Sequence, residues 1–228
     1  MIKENLATIH RRIKTAAVQA DRNADEITLI AVSKRKPVSL IREALAAGQL
    51  DFGENYLQEA KEKIEALAGQ GRFHFIGSLQ SNKAGDAARL CDLIHTVDRL
   101  KLAKALNKHA AAAGKILAVL IQVNVGREVQ KGGVLPEDAE QLARQMQGLA
   151  NLEIRGLMTM PPYRRSPEEV RPFFNELRCL GQDLQDKGLI APQSPLELSM
   201  GMSGDFEVAI EEGATMVRVG TAIFGARE

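Results

Sequence analysis

The sequence lacks the features that mark membrane, secreted or nucleic-acid-binding proteins. Only two of its 228 residues are cysteines, Cys91 and Cys179, and each looks like a small apolar residue in its own segment, so no disulfide framework is indicated. Its 30 basic and 29 acidic residues are well mixed, which indicates no surface for nucleic acid or an anionic membrane. No apolar run approaches the roughly 20 residues that span a bilayer, and residues 1–20 lack the apolar core of a signal peptide. We therefore expect a cytoplasmic protein.

What the sequence does contain is a regular alternation of strand-like and helix-like segments. Hydrophobic residues make up 45% and charged residues 26% of the chain, as in ordinary soluble proteins. Apolar runs predict strands at 27–32, 50–52, 73–76, 93–97, 116–125, 152–160, 196–200 and 216–219. Amphipathic segments predict helices at 3–20, 38–47, 56–68, 82–90, 99–113, 136–148, 167–187 and 205–212.

Strands that alternate with helices indicate parallel pairing through right-handed crossovers. Eight such alternations, in a chain near the usual length of about 250 residues, predict a (β/α)8 TIM barrel with an extra N-terminal helix. No linker interrupts the pattern, so we expect a single domain spanning residues 1–228. An open doubly wound sheet is the alternative, and it is less favoured because no glycine-rich dinucleotide fingerprint follows the first strand.

Two lysines stand at the end of the first predicted strand. Residues 27–32 are apolar or β-branched, as in a strand buried on both faces, and Lys34 and Lys36 follow before Pro37 ends the strand. The simpler interpretation is that both lysines are solvated at the strand exit. The alternative is that one of them is desolvated enough to act as a nucleophile and form an imine with an aldehyde.

The loops after the last two strands predict a phosphate site. In TIM barrels these loops often bind phosphate. Ser203 lies in the small-residue loop after the seventh strand, and Gly220 and Thr221 follow the eighth. Each loop by itself is typical of a helix cap, and Thr221 can both donate to phosphate and cap the terminal helix. Together, at these two positions, they favour phosphate binding.

Arg218 is a third signal, because it lies among apolar residues in the last strand and needs a partner. One interpretation is a salt bridge with a barrel carboxylate such as Glu54 or Glu197. The other is a donor to a ring nitrogen or anionic group of a ligand. A lysine, two phosphate loops and an arginine at one barrel mouth suit an aldehyde that carries a phosphate and a ring nitrogen, namely pyridoxal 5′-phosphate (PLP).

The chain also resembles a known family in segments along its whole length. It is similar to the YggS/PROSC family of PLP-binding, PLP-homeostasis proteins, whose barrel resembles the N-terminal domain of alanine racemase (fold-type III of the PLP-binding proteins). The matching segments are 31–37 (AVSKRKP), 52–56 (FGENY), 74–77 (HFIG), 79–83 (LQSNK), 95–100 (HTVDRL), 155–158 (RGLM), 198–203 (LSMGMS) and 216–225 (MVRVGTAIFG).

The resemblance implies a role for each of the candidate residues. Lys34, rather than Lys36, would be the Schiff-base lysine, Asn55 would lie near the ring and its phenolic oxygen, and Arg218 would face the pyridine nitrogen. The phosphate would be held by Ser203, Gly220 and Thr221. Because an arginine cannot usefully protonate the nitrogen, the ring would be a weak electron sink, which disfavours transaminase-like chemistry. In the loop 124–133 the sequence departs from the family pattern, so a second PLP contact at Lys131 stays open.

These features favour a carrier over an enzyme. A racemase needs a base on each face of the substrate. In alanine racemase the second base comes from a partner's additional β domain, and we expect none here because the sequence ends at Glu228. Neither tyrosine, Tyr56 or Tyr163, has an evident base partner, His74 and His95 are typical of core histidines, and no cluster has metal-ligand spacing.

We therefore expect a non-enzymatic, monomeric protein of intracellular PLP homeostasis. It would hold PLP as a Schiff base on Lys34, take other B6 vitamers, and contact apo PLP enzymes transiently, without binding nucleic acid or membranes. The alternatives are an amino-acid racemase-like PLP enzyme with weak activity, and a phosphate-binding barrel enzyme without PLP in which Lys34 pairs with the substrate.

Overall fold

Eight parallel strands close into a barrel in chain order, all within residues 1–225, the part of the chain that the computed structural model describes. The strands are β1 (Thr28–Val32), β2 (Asp51–Glu54), β3 (Arg72–Phe75), β4 (Leu93–Val97), β5 (Leu117–Gln122), β6 (Leu152–Met158), β7 (Glu197–Met202) and β8 (Met216–Val219). Each strand pairs in parallel with the next, and β8 closes the ring on β1. The predicted (β/α)8 barrel is therefore confirmed.

The helices form the outer layer of the barrel. They are α1 (Ile2–Gln19), α2 (Val38–Ala46), α3 (Leu57–Ala66), α4 (Ala84–Leu90), α5 (Leu100–Ala112), α6 (Pro136–Met146), α7 (Arg171–Asp186), α8 (Phe206–Glu211) and α9 (Thr221–Phe224). The extra N-terminal helix α1 buries the predicted apolar stripe, including Leu6, Ile9 and Ile13, against α2, α8 and α9. None of these helices is long and apolar enough to cross a bilayer.

The predicted and observed elements differ most in three places. Residues Pro167–Val170 form a short 3-10 helix, and α7 begins only at Arg171. Pro172 has no amide hydrogen, so it is tolerated in the first turn of a helix but not in its interior. The apolar runs predicted as strands at 116–125 and 152–160 also continue past β5 and β6, where the chain leaves the barrel for its C-terminal loops.

Alternation along the strands separates two apolar layers. Met216 faces the barrel interior, where it packs in a small cluster with Ile30, Leu93, Ala118, Leu120 and Met158. Val217 and Val219 point outward into the larger core beneath the helices. Arg218 shares the inward face of β8 with Met216, as the period of two predicts, and lies beside Ile30 in the register with β1. The barrel interior near Arg218 therefore contains this small apolar cluster, and a cavity opens above Arg218.

Candidate functional site

A cavity of about 270 Å³ opens at the C-terminal ends of the strands, where TIM barrels carry their sites. All six residues predicted to bind the cofactor line it: Lys34, Asn55, Ser203, Arg218, Gly220 and Thr221. The rest of the wall is formed by Val32, Lys36, Ile76, Met160, Met202, Gly204 and Gly225. The cavity thus combines amines, hydroxyls and a guanidinium with apolar side chains, as small-molecule sites do.

The two lysines are carried by a tight turn directly after β1. The amide of Lys36 donates to the carbonyl of Ser33 at 3.0 Å, which closes the turn around Lys34 and Arg35. Arg35 has a φ of 58°, in the left-handed region that arginine adopts rarely. Lys34 and Lys36 are both half-buried and both line the cavity. The geometry leaves both amines within reach of a ligand, so the preference for Lys34 still rests on the family pattern.

Arg218 is buried, and it donates hydrogen bonds to two neutral oxygens. Its two terminal nitrogens donate to Ser199 Oγ at 2.6 Å and to the carbonyl of Thr159 at 2.7 Å. The salt bridge considered from the sequence is not formed, because Glu54 pairs with Lys63 at 2.6 Å and Glu197 lies 3.8 Å from Arg155. Burial lowers the pKa of Arg218 to about 10, so the guanidinium remains charged at neutral pH. A buried cation of this kind suits an anionic or electron-rich ligand atom.

A chain of hydrogen bonds continues from Arg218 across the barrel interior. Ser199 Oγ lies 2.9 Å from His95 Nδ1, and His95 Nε2 lies 3.0 Å from His74 Nδ1. His74 Nε2 then lies 3.0 Å from Asp51 Oδ1. Arginine only donates and an ionised carboxylate only accepts, so the chain begins with a donor at Arg218 and ends with an acceptor at Asp51. We call these five residues the interior relay.

The surroundings of the interior relay shift the pKa values of His95 and Asp51. Burial, with the nearby His74 and Arg218, lowers the pKa of His95 well below its ordinary value and keeps it neutral. Burial alone would raise the pKa of Asp51, but hydrogen bonds from His74 and Arg72 outweigh it and lower the pKa to about 2. The sequence prediction that both histidines are core residues with satisfied partners fits this arrangement, although it did not anticipate their link to Arg218.

The predicted phosphate loops meet at one corner of the cavity. The hydroxyls of Ser203 and Thr221 lie 3.4 Å apart, so both can donate to one small anion. Gly220, rather than Thr221, is the N-cap of α9, and Thr221 is its first helical residue. The predicted capping role of Thr221 is therefore wrong, because the chain turns into the helix one residue earlier. Its hydroxyl is directed at Ser203 instead.

Asn55 supplies a buried polar atom that lacks a protein partner. Among residues 1–225 its Oδ1 has no hydrogen bond, although the atom is shielded from solvent. Gly77 lets the backbone of Asn55 come close, since a Cβ at Gly77 would lie 2.3 Å from the Asn55 carbonyl oxygen. A side-chain amide can present its oxygen or, after rotation, its NH2 group. An unsatisfied amide in a cavity wall fits a ligand with a polar ring substituent.

The sequence did not single out Lys63, which lies directly behind the lysine turn. Its ammonium is 2.6 Å from Glu54 Oε1, from Glu59 Oε1 and from the carbonyl of Ser33. Burial raises the pKa of Glu54 even with this cation beside it. The available signal was a lysine on the buried stripe of α3, one turn after Ala60.

The chain is similar in sequence to proteins that are already known. Residues 4–228 match the sequence family described as alanine racemase, N-terminal domain. The pyridoxal phosphate homeostasis protein of Pseudomonas aeruginosa is 47% identical over 228 residues, covering 100% of this chain and 96% of that protein. The corresponding protein of Aquifex aeolicus is 45% identical over 226 residues, covering 99% of this chain and 98% of that protein.

The fold of the chain is also similar to that of proteins with solved structures. PipY of Synechococcus elongatus, solved with PLP bound, has a TM-score of 0.85 and 38% identity, covering 99% of this chain and 100% of that one. Alanine racemase of Corynebacterium glutamicum has a TM-score of 0.73 at 19% identity, covering 99% of this chain and 61% of that one, which shows the shared fold. The chain belongs to the family of pyridoxal phosphate homeostasis proteins, built on the barrel of the alanine racemase N-terminal domain.

Proposed function

We propose that this chain binds PLP through a Schiff base on Lys34 and acts as a carrier and buffer of PLP rather than as an enzyme. The observation that carries the proposal is the composition of one cavity of about 270 Å³. A half-buried lysine, a pair of adjacent hydroxyls and a buried guanidinium all line it. PipY, with 38% identity over nearly the whole chain, has been solved with PLP in place.

Each part of the cavity suits one part of the cofactor. The Lys34 amine would form the C=N bond with the aldehyde carbon, and the aldehyde oxygen would leave as water. Ser203 and Thr221 would hold the phosphate, with Gly220 keeping the backbone open beside Val32. Asn55 would take the ring's phenolic oxygen, which gives its buried amide the partner it lacks within the protein.

Arg218 supports the carrier role over catalysis. When bound, PLP supplies a reversible carbonyl and an electron-accepting ring. A carboxylate beside the pyridine nitrogen would keep that nitrogen protonated and strengthen the electron sink. A guanidinium whose pKa remains near 10 donates a hydrogen bond but holds its proton. Ser199 and Thr159 fix Arg218 in its place, so it would stabilise the bound ring without activating it.

The supply of bases also supports a carrier. Within the described residues, Lys34, Lys36 and Arg218 are the titratable groups lining the cavity. A two-base racemisation needs groups on opposite faces of the substrate. Lys36 comes from the same turn as Lys34, and Tyr56 is half exposed with its hydroxyl 3.5 Å from Arg35, so neither suits a second base across the ring. The held PLP would then pass to apo-enzymes that require it.

The test is the absorption spectrum of the purified protein with PLP, followed by borohydride reduction and peptide mass mapping. We expect a visible band that reduction removes, and a pyridoxyl adduct on Lys34. Lys34→Ala should lose the band, whereas the matched variant Lys36→Ala should keep it. A colourless protein, or an adduct confined to Lys36, would contradict the assignment. Turnover of amino-acid enantiomers by the wild-type protein, lost in Lys34→Ala, would show an enzyme instead of a carrier.

A further inference from the structure

A buried ion cluster stands directly behind the turn that carries Lys34. Lys63 is 4% exposed, and its ammonium has three hydrogen-bond acceptors, each at 2.6 Å: the Ser33 carbonyl, Glu54 Oε1 and Glu59 Oε1. An ammonium has three N–H groups, so each of them has an acceptor. We call Glu54, Glu59 and Lys63 the turn cluster.

The turn cluster bonds the polar groups of the turn as well as its own members. Ser33 Oγ donates to Glu54 Oε1 at 2.6 Å, and the amide of Arg35 donates to Glu59 Oε1 at 2.5 Å. Together with the bond from Lys63 to the Ser33 carbonyl, contacts are made on both sides of Lys34. The backbone before and after the candidate Schiff-base lysine is therefore held from behind.

This turn needs such support because its backbone is strained. A β-turn whose third residue has a positive φ favours glycine or asparagine there, and this one has Arg35 at 58°. Strained backbone persists where the surroundings fix it, and it concentrates at functional sites. Without the turn cluster, Arg35 has little reason to remain in the left-handed region. Relaxation at Arg35 would redirect its neighbour Lys34.

A buried ion cluster is weak evidence for a gain in stability. Well-packed apolar residues can replace a buried ion pair at little or no cost in stability, while removing one partner leaves a charge uncompensated. A gain in stability therefore does not explain why three charged residues are clustered together at this position. The geometry of the Lys34 turn provides a reason, because its hydrogen-bond groups are the ones that the cluster binds.

We propose that Lys63, with Glu54 and Glu59, is a positioning residue that holds the strained turn so that the Lys34 amine meets the aldehyde of PLP. This inference rests on the proposed function. Lys63 does not line the cavity, so it acts on the covalent bond through Lys34 and leaves the sites for the ring and the phosphate unchanged. Its effect is therefore specific to ligands that carry an aldehyde.

The test compares two ligands on the full-length protein. Pyridoxine 5′-phosphate has an alcohol where PLP has the aldehyde, so it fits the same cavity but forms no C=N bond. In Lys63→Met we expect the affinity for PLP to fall by about 10-fold to 100-fold, as for a displaced reacting group. The affinity for pyridoxine 5′-phosphate should change by less than about 2-fold, because the groups that hold it are untouched.

Further variants separate positioning from general loss of structure. Glu59→Leu removes the acceptor of the Arg35 amide from a half-buried site and should also weaken PLP binding selectively. Arg35→Gly adopts a positive φ without strain, so the double variant Arg35→Gly/Lys63→Met should regain part of the lost PLP affinity. Leu142→Ala on α6, away from the turn, controls for reduced stability and should bind both ligands normally.

Each outcome decides the proposal. An equal loss for both ligands in Lys63→Met and Glu59→Leu would show a merely structural role, and unchanged PLP affinity in both would also overturn it. If Lys63→Met does not fold, Glu59→Leu gives the same comparison. Failure of the wild-type protein to form an adduct on Lys34 would instead refute the proposed function, and that measurement does not involve Lys63.

Discussion

The raised pKa of Glu197, at the start of β7, predicts how the stability of the barrel depends on pH. Burial raises the pKa of its carboxyl group to about 7 from 4.5. Arg155, 3.8 Å away and paired with Glu153, lowers this pKa by too little to compensate, and Glu153 adds to the rise. Its Oε2 is buried and has no hydrogen-bond partner among residues 1–225. The folded protein therefore binds a proton at Glu197 that the unfolded chain has already released near neutral pH.

The direction and size of the effect follow from linkage. Between pH 4.5 and about 7 the folded state holds more protons than the unfolded state, so stability falls as the pH rises. The full shift corresponds to about 3 kcal/mol at roughly 1.4 kcal/mol per pH unit. Because 23% of the side chain is exposed, solvent screens part of it, and we expect a loss of about 2 kcal/mol.

The assay is urea unfolding of wild type and Glu197→Gln from pH 5 to pH 8.5. Glu197→Gln cannot ionise, so its free energy of unfolding should lose less with rising pH and exceed that of wild type at pH 8 by about 1 to 2 kcal/mol. Glu65→Gln, at an exposed position paired with Lys61 at 3.9 Å, is the control and should follow wild type. Parallel curves for Glu197→Gln and wild type would refute the reasoning.

Three further predictions concern the interior relay and two close backbone contacts. His95→Leu removes one buried hydrogen-bond partner from each of His74 and Ser199. We expect a loss of about 2 to 4 kcal/mol in urea unfolding and a shifted absorption maximum of bound PLP, and an unchanged spectrum would contradict the link to Arg218. Gly156→Ala would place a Cβ 1.8 Å from the Glu197 carbonyl oxygen, so the melting temperature should fall by several degrees for a loss above about 2 kcal/mol, whereas Gly148→Ala, with nothing within 4 Å, should stay near wild type. Gly77→Ala displaces Asn55 and should weaken PLP binding in titrations by about 10-fold; equal affinity would exclude Asn55 from the site.

Local sequence was sufficient for the architecture. The pattern of apolar strands and amphipathic helices has a short range, and parallel strands joined by right-handed crossovers leave few ways to close. The inward direction of Arg218 also followed from the period of two along β8. Even the corner formed by Ser203 and Thr221 was predictable, because the loops after the last two strands meet in any such barrel.

Other features depend on which side chains meet across the barrel, and sequence spacing does not give that. Arg218 could have paired with Glu54 or Glu197 on sequence grounds. In the closed barrel, however, Ser199 Oγ and the Thr159 carbonyl lie within hydrogen-bond distance of Arg218, and Glu54 pairs with Lys63 of α3. In the sequence Lys63 resembles other helical lysines, and only the packing of α3 places it behind the turn.

The sequence by itself therefore determined the barrel and placed the strand-exit lysines, Arg218 and the last two loops at its mouth, because both depend on periodicity and chain order. Asn55 and the choice of Lys34 over Lys36 came from the family resemblance. The interior relay and the turn cluster were decided only by the tertiary structure. Their directly hydrogen-bonded pairs are separated by up to 104 residues, as His95 and Ser199 are, and a hydrogen bond requires its two atoms to lie within about 3 Å. Only the closed barrel fixes such distances.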